Sequence, residues 1–236
     1  MSQQPQSMLT FLSPMCRHCF TIIILLIVAV PRSRGDTLPP PRDHDFETLY
    51  SIQQRRTPTH NRYWTAVSNS LALSPVPAIG HGLYGWATGD RQVLYNAAEL
   101  GGSWLLTAGV TMSLKYLINR PRPYVAHASD LVCLQPLPDP SFPSGHTSFC
   151  FATATSLSLI YPRWYVVIPS YLWATGVAYS RLYIGAHYPT DVVAGALIGT
   201  SCAVVAYWVR NCIMRQHPDL ALANPSHVSF SFAFHL

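Results

Sequence analysis

The chain has 236 residues, enough for one sizeable domain or two small ones. Hydrophobic residues make up 49% and charged residues only 11%, against about 25% charged in a typical soluble domain, and mean hydropathy is +0.18; this excludes a disordered chain, a coiled coil and a heavily solvated surface protein, and fits a chain embedded in a bilayer. The net charge of +5 comes from 15 basic and 10 acidic residues scattered without a basic run, so nothing points to nucleic acid as a partner.

In chain order, Arg17 and His18 precede an apolar run from Phe20 to Val30 that Pro31 ends. At ~1.5 Å per residue that run reaches about 16 Å, roughly half of a ~30 Å hydrocarbon core. Ser33-Arg34-Gly35 then places small residues where a signal peptidase inspects the chain. Residues 1–35 are therefore expected to be a secretory signal cleaved near Gly35, with a short uncleaved anchor as the alternative. Thr37 to Pro41 is a proline-rich linker. From Asp43 to Arg56, Phe46, Leu49, Tyr50 and Gln53 recur at helical spacing, with acids at the start and Arg55-Arg56 at the end, an order that suits the helix dipole. Residues 36–63 thus read as a linker and an amphipathic helix lying on the membrane or on the main domain.

Residues 64–210 hold five apolar stretches: Trp64–Ala87, Val93–Leu114, His146–Tyr161, Trp164–Tyr179 and Val192–Val209. The fold class expected is all-α, a helical bundle embedded in the membrane with five spans after the N-terminal signal segment. A large soluble all-α core would carry a similar pattern. Pro75, Pro77 and His81 interrupt the first stretch and Glu99 the second; His81 and Glu99 are expected to be buried and paired. Residues 211–236 form a tail in which Val228, Phe230, Phe232 and Phe234 alternate as in a strand. The six cysteines show no zinc-like pairing apart from Cys16-x-x-Cys19 in the signal region. They are expected to be free thiols, with a Cys133–Cys150 bridge as the alternative. If the signal enters from the cytoplasm, the loops at Asp90-Arg91 and Pro162-Arg163 and the tail with Arg210 and Arg215 lie inside. The stretches after Leu114, before His146 and around Arg181 then lie outside.

Three polar clusters interrupt the apolar chain, and this topology puts all three on one side. They are Lys115 to Pro123, Pro143-Ser144-Gly145-His146, and Ser180-Arg181 through His187 to Asp191. Lys115, Arg122 and Arg181 are cations at the ends of apolar helices. Three such groups that converge imply a shared anion, because each is costly to desolvate alone. Arginine presents a planar fork matched to phosphate oxygens and lysine a point charge. Ser144 and Gly145 precede an apolar run, so they belong at a helix N-terminus, where free N–H groups and the dipole favour an oxyanion. His187 and Asp191 are four apart, close enough for the carboxylate to fix one ring nitrogen and leave the other as a nucleophile. His146 is then available to protonate a leaving oxygen.

These clusters resemble the three signature motifs of the type-2 phosphatidic acid phosphatase and vanadium haloperoxidase superfamily, K-x6-R-P, P-S-G-H and S-R-x5-H-x3-D, and every specified position matches. The resemblance covers about Trp64 to Val209. It implies that Lys115, Arg122, Ser144, Gly145 and Arg181 bind phosphate oxygens. His187 would form a phosphohistidine, Asp191 would orient it, and His146 would be the acid and then the base. It implies a phosphatase acting on a phosphate monoester or pyrophosphate of a lipid; the cations and N–H groups need no metal or cofactor, and the topology set by the signal puts the active site on the extracytoplasmic (periplasmic) side. Membrane lipids are the other expected partner, and no protein partner is implied. A soluble exported acid phosphatase of the same superfamily is the alternative, and a vanadium-dependent haloperoxidase a further one. Arg120 repeats the Arg-Pro pattern at the wrong spacing from Lys115 and is left outside the site, as a surface or supporting residue. Asp130, Asp139 and His127, in the loop between the first two motifs, are expected to be solvated loop residues, with contact to substrate as the alternative, and Ser180 to support Arg181.

Overall fold

The computed structural model describes residues 43–216. The signal segment, the Thr37–Pro41 linker, Cys16 and Cys19, and the alternating tail lie outside the described residues. The elements are α1 (His44–Gln53), α2 (Pro58–Asn69), a 3-10 turn (Ser70–Leu73), α3 (Val76–Thr88), α4 (Arg91–Ile118), α5 (Pro123–Ala126), α6 (Gly145–Ile160), α7 (Trp164–Ile184) and α8 (Pro189–Gln216). No strand occurs among the described residues.

Local chemistry sets most of the boundaries. Asp43 opens α1 by accepting from the Phe46 N–H at 2.9 Å, and Asp90 opens α4 by accepting from Gln92 N–H at 2.9 Å. Asn119 (φ 48°) ends α4 and Gly185 (φ 82°) ends α7, both in the left-handed region. At Gly185 the requirement is twofold, since a Cβ would also crowd the Val132 carbonyl.

The expected apolar stretches correspond to these helices with one correction. Trp64–Ala87 is not a single span: it divides into the end of α2, the 3-10 turn and α3. Pro75 and Pro77 are the reason, because neither can donate an amide hydrogen to a continuous helix and both fit a helix start. The α8 segment Pro189–Met214 is long and apolar enough to cross a membrane, with a hydropathy of 1.9.

At the centre, α6 packs against α4, α7 and α8. Its inward positions are small or hydroxyl-bearing: Thr147, Ser148, Ala152, Thr153, Ala154, Thr155 and Ser156. The buried stripe of α4 is polar too, running Asn96, Glu99, Ser103, Thr107, Thr111 and Lys115 at helical spacing. The outer faces are the reverse, exposing Leu105 and Met112 of α4, Ile168 and Leu172 of α7, and Val193 and Leu197 of α8. Polar inside and apolar outside is the pattern of helices that meet through small residues while facing hydrocarbon. Glu99 is buried as expected, but its carboxylate oxygens accept no hydrogen bond among the described residues. His81 is paired, with Pro77 O at 2.7 Å and the Tyr161 hydroxyl at 2.8 Å.

The amphipathic helix α1 lies on the main body. Phe46 and Leu49 are buried against Leu131, and Leu182 of α7 packs on the same cluster. Arg56, just after α1, donates to the Tyr183 carbonyl through Nε (2.7 Å) and to the Val132 carbonyl through Nη1 (2.7 Å). Cys133, Cys150, Cys202 and Cys212 are free thiols, so no Cys133–Cys150 bridge forms.

Candidate active site

Successive helix directions bring the three sequence clusters to one end of the bundle. Lys115 is in the last turn of α4, Arg122 caps α5, Gly145 and His146 open α6, Arg181 is in the last turn of α7, and Asp191 is in the first turn of α8. His187 sits in the short connection between α7 and α8. A cavity of about 270 Å³ lies among them. Lys115, Arg122, Gly145, His146 and His187 line it together with Asp139, and Leu71, Met112, Leu137 and Phe149 give it apolar walls.

Arg122 organises the cationic side. Its Nη1 donates to the Ala186 carbonyl at 2.9 Å and lies 3.3 Å from His187 Nε2. Its Nε and Nη2 hold the Asp139 carbonyl (2.7 Å) and carboxylate (2.8 Å). Lys115 Nζ reaches the same carboxylate at 2.8 Å and donates to the Pro140 carbonyl at 2.5 Å. Asp139 is thus not a solvated loop residue, as the sequence suggested: it bridges two of the three expected phosphate-binding cations. Burial opposes its ionisation, but Lys115 and Arg122 together hold its carboxyl below the usual range.

Arg181 is buried, and only its Nη1 is engaged, by the Ser68 hydroxyl at 2.6 Å; Nε and Nη2 have no hydrogen-bond partner among the described residues. Ser68 of α2 therefore holds Arg181, not Ser180, whose hydroxyl donates to the Val177 carbonyl at 2.6 Å. Ser144 is fully buried beside α8. Its N–H donates to the Asp191 carbonyl at 3.0 Å and its hydroxyl oxygen accepts from Thr147 at 3.0 Å, while the cavity wall begins at Gly145.

Asp191 is fully buried and held at both oxygens. Oδ2 accepts from the Ser141 hydroxyl at 2.5 Å and the Tyr188 N–H at 3.0 Å, and Oδ1 accepts from Arg120 at 2.7 Å. His187 Nδ1 stands 3.6 Å from Oδ2, beyond hydrogen-bond length but on the side the expected pairing requires. Burial pushes the His187 imidazole down to about 4, with Asp191 pulling the other way. Burial thus favours the neutral ring, and Nε2 stands beside Arg122 at the cavity wall.

Asp139, Ser141, Ser68, Asp45 and the contact of Arg120 were not foreseen from the sequence. The repeated Arg120-Pro121 was the one visible signal. The others act across 17 to 113 residues of chain, without any local pattern.

Cationic side chains around paired imidazoles, with one imidazole backed by a buried carboxylate, define a class of site that can hold a tetrahedral oxyanion and present nitrogen to its centre. Residues 96–215 match the PAP2 superfamily, and the chain belongs to that superfamily. It is 38% identical over 87 residues to an undecaprenyl-diphosphatase of Sulfolobus acidocaldarius, covering 36% of this chain and 41% of that protein. It is 42% identical over 72 residues to phosphatidylglycerophosphatase B of Escherichia coli K12, covering 29% of this chain and 28% of that one. In both cases the match spans less than half of the relative. The crystal structure of a transmembrane PAP2 type phosphatidylglycerolphosphate phosphatase from Bacillus subtilis superposes with a TM-score of 0.61 at 21% identity, covering 84% of this chain and 97% of that chain, which shows the shared fold.

Proposed function

We propose that this chain is a membrane-embedded phosphatase that removes a terminal phosphate from a lipid through a phosphohistidine, at a site on the extracytoplasmic side. The carrying observation is the position of His187 Nε2, 3.3 Å from Arg122 Nη1 and on the wall of a cavity shared with Lys115 and His146. The apolar walls at Leu71, Met112, Leu137 and Phe149 favour a lipid, as do the names of the relatives. Membrane embedding is supported by the apolar outer faces of α4, α7 and α8 around polar inner stripes. In this reading residues 1–35 are the signal or a short anchor, 36–63 the linker with α1 and the start of α2, 64–210 the catalytic bundle and 211–236 a tail whose first residues continue α8 to Gln216.

The chemistry balances with water as the only other reactant. The Nε2 lone pair of His187 attacks phosphorus while Lys115, Arg122, Arg181 and the Gly145 N–H stabilise the equatorial oxygens. Ser144, buried behind Gly145 with its N–H on the Asp191 carbonyl, holds the start of α6 in place instead of donating to them as the sequence suggested. The bond from phosphorus to the leaving oxygen breaks, and His146 gives that oxygen a proton that it took up from the incoming phosphate monoanion. Water then attacks the phosphohistidine, its proton passes to His146, the N–P bond breaks and inorganic phosphate leaves. Asp191 steadies the imidazolium character that develops on His187.

Incubating the purified protein with a panel of phosphorylated phospholipids and polyprenyl phosphates tests the substrate class by phosphate release. Turnover is expected to continue in EDTA and to be inhibited by vanadate; reversible loss in EDTA contradicts the mechanism. Because Asp139 bridges Lys115 and Arg122, an incoming phosphate must displace its carboxylate. Asp139→Asn is therefore expected to tighten vanadate inhibition by about two- to tenfold, the scale of a partly exposed ion pair. An unchanged or weaker inhibition constant would contradict that competition.

A further inference from the structure

Arg120 does not line the cavity, yet it grips the carboxylate beneath it. Its Nη1 donates to Asp191 Oδ1 and to the Thr190 hydroxyl, each at 2.7 Å, and its Nη2 donates to Asp45 Oδ2 at 2.9 Å. The guanidinium lies 3.9 Å over the Tyr188 ring, which fixes its plane. Asp45, from α1, also accepts the Thr190 N–H at 3.2 Å and the Thr190 hydroxyl, so the same carboxylate caps the start of α8. One cation is thus shared between a buried carboxylate facing His187 and a second carboxylate brought from the N-terminal helix.

We propose that Arg120 and Asp45 form a positioning pair that sets how much negative charge Asp191 presents to His187 and holds its carboxylate in register with the ring. The proposal rests on the reading of His187 as the nucleophile. His187 is faced by Asp191 from α8, Arg122 from the loop before α5, Arg181 from α7 and His146 from α6. Asp191 is faced by His187, Arg120 and the Ser141 hydroxyl, with Lys115 from α4 at longer range. In this set Arg120 is the cation in direct contact with Asp191, and Asp45 is the anion that shares it.

The two partners must act with opposite sign. Removing the Arg120 charge leaves Asp191 more negative toward His187, which favours the imidazolium. Neutralising Asp45 gives Asp191 a larger share of the Arg120 charge, which disfavours it. In the acid limb of kcat/KM, which reports the free enzyme, Arg120→Gln is expected to shift toward higher pH and Asp45→Asn toward lower pH, each by about half a unit or more. Arg120→Gln is also expected to lower kcat on the order of 10- to 100-fold, the scale of a misplacement of about 1 Å at the reacting atoms. KM should hardly move, because the cavity cations are untouched, whereas vanadate, which also bonds the His187 nitrogen, should inhibit Arg120→Gln more weakly. Arg120→Lys keeps the charge but not the fork, so its acid limb should return to the wild-type position while kcat stays lowered.

The measurement uses the full chain in detergent and the lipid phosphate hydrolysed fastest in the panel, with His187→Ala run alongside. Opposed limb shifts support the proposal. Limbs that stay put, or move in the same direction, overturn it and leave the pair a structural tie. Turnover retained by His187→Ala would sink the nucleophile reading itself, and the proposal with it. Should Arg120→Gln fail to fold, Asp45→Asn must still shift the acid limb to lower pH while Arg120→Lys leaves it at the wild-type position, and any other pattern overturns the proposal.

Discussion

Replacing His187 by alanine is expected to abolish phosphate release, by a factor of about 10³ or more, and to remove any acid-labile phosphoenzyme trapped by quenching. Loss of a nucleophile whose partners remain in place typically leaves only the contribution of the surrounding cage. The cage here stays intact, because Arg122 keeps its bonds to the Ala186 carbonyl and to Asp139 when the ring is gone. His187→Ala should therefore still bind vanadate, though without the bond to nitrogen. His146→Ala supplies the contrast. In the proposed mechanism this variant leaves attack by Nε2 possible when the leaving group needs no proton, but removes the base for water. With an activated aryl phosphate it should accumulate phosphohistidine, whereas poor leaving groups should hardly react. Equal phosphoenzyme levels in the two variants would contradict the assignment of roles.

The second large effect concerns the frame that carries these groups. Gly195 and Gly199 stand four apart on α8 and face α6. A Cβ at Gly195 would lie 2.7 Å from the Ser144 carbonyl oxygen, and one at Gly199 would collide with the Ser148 carbonyl and the Ala152 N–H. The obstacles are backbone atoms, which cannot turn aside as a flexible side chain does. Small residues at this spacing let two helices approach through their backbones, the usual device where hydrocarbon gives no hydrophobic drive to associate. Gly199→Val is expected to lose several kcal/mol of stability, beyond the roughly 1–3 kcal/mol typical of overpacking at side-chain contacts. A thermal shift assay in detergent should show a marked fall in Tm together with loss of activity. Gly101, Gly102 and Gly109 on α4 have open space where a Cβ would stand, so Gly109→Ala is the control and should leave Tm nearly unchanged. Equal Tm for the two variants would show that α6 and α8 do not meet through these glycines.

Much of this site was legible in the amino-acid sequence. Lys115, Arg122, His146, Arg181, His187 and Asp191 stand at the ends of apolar stretches, and alternating helix direction alone sends those ends to one side. The helices themselves were legible because a run of apolar residues with few charges has few other ways to satisfy its backbone. The break in the first stretch was less so. Averaged hydropathy ran through Ser74-Pro75-Val76-Pro77, whereas the backbone obeyed the missing amide hydrogens of the two prolines.

Local spacing and the cost of burying charge were enough to give the bundle class, the one-ended site and the residue types that meet there. The counter-charges emerged only on folding: Asp139 on Lys115 and Arg122, Ser68 on Arg181, and Asp45 with Asp191 on Arg120. A cation leaving water takes whichever oxygen the fold brings within about 3 Å. Asp45 is 75 residues from Arg120 and Ser68 is 113 from Arg181, separations over which local sequence carries no trace of the pairing.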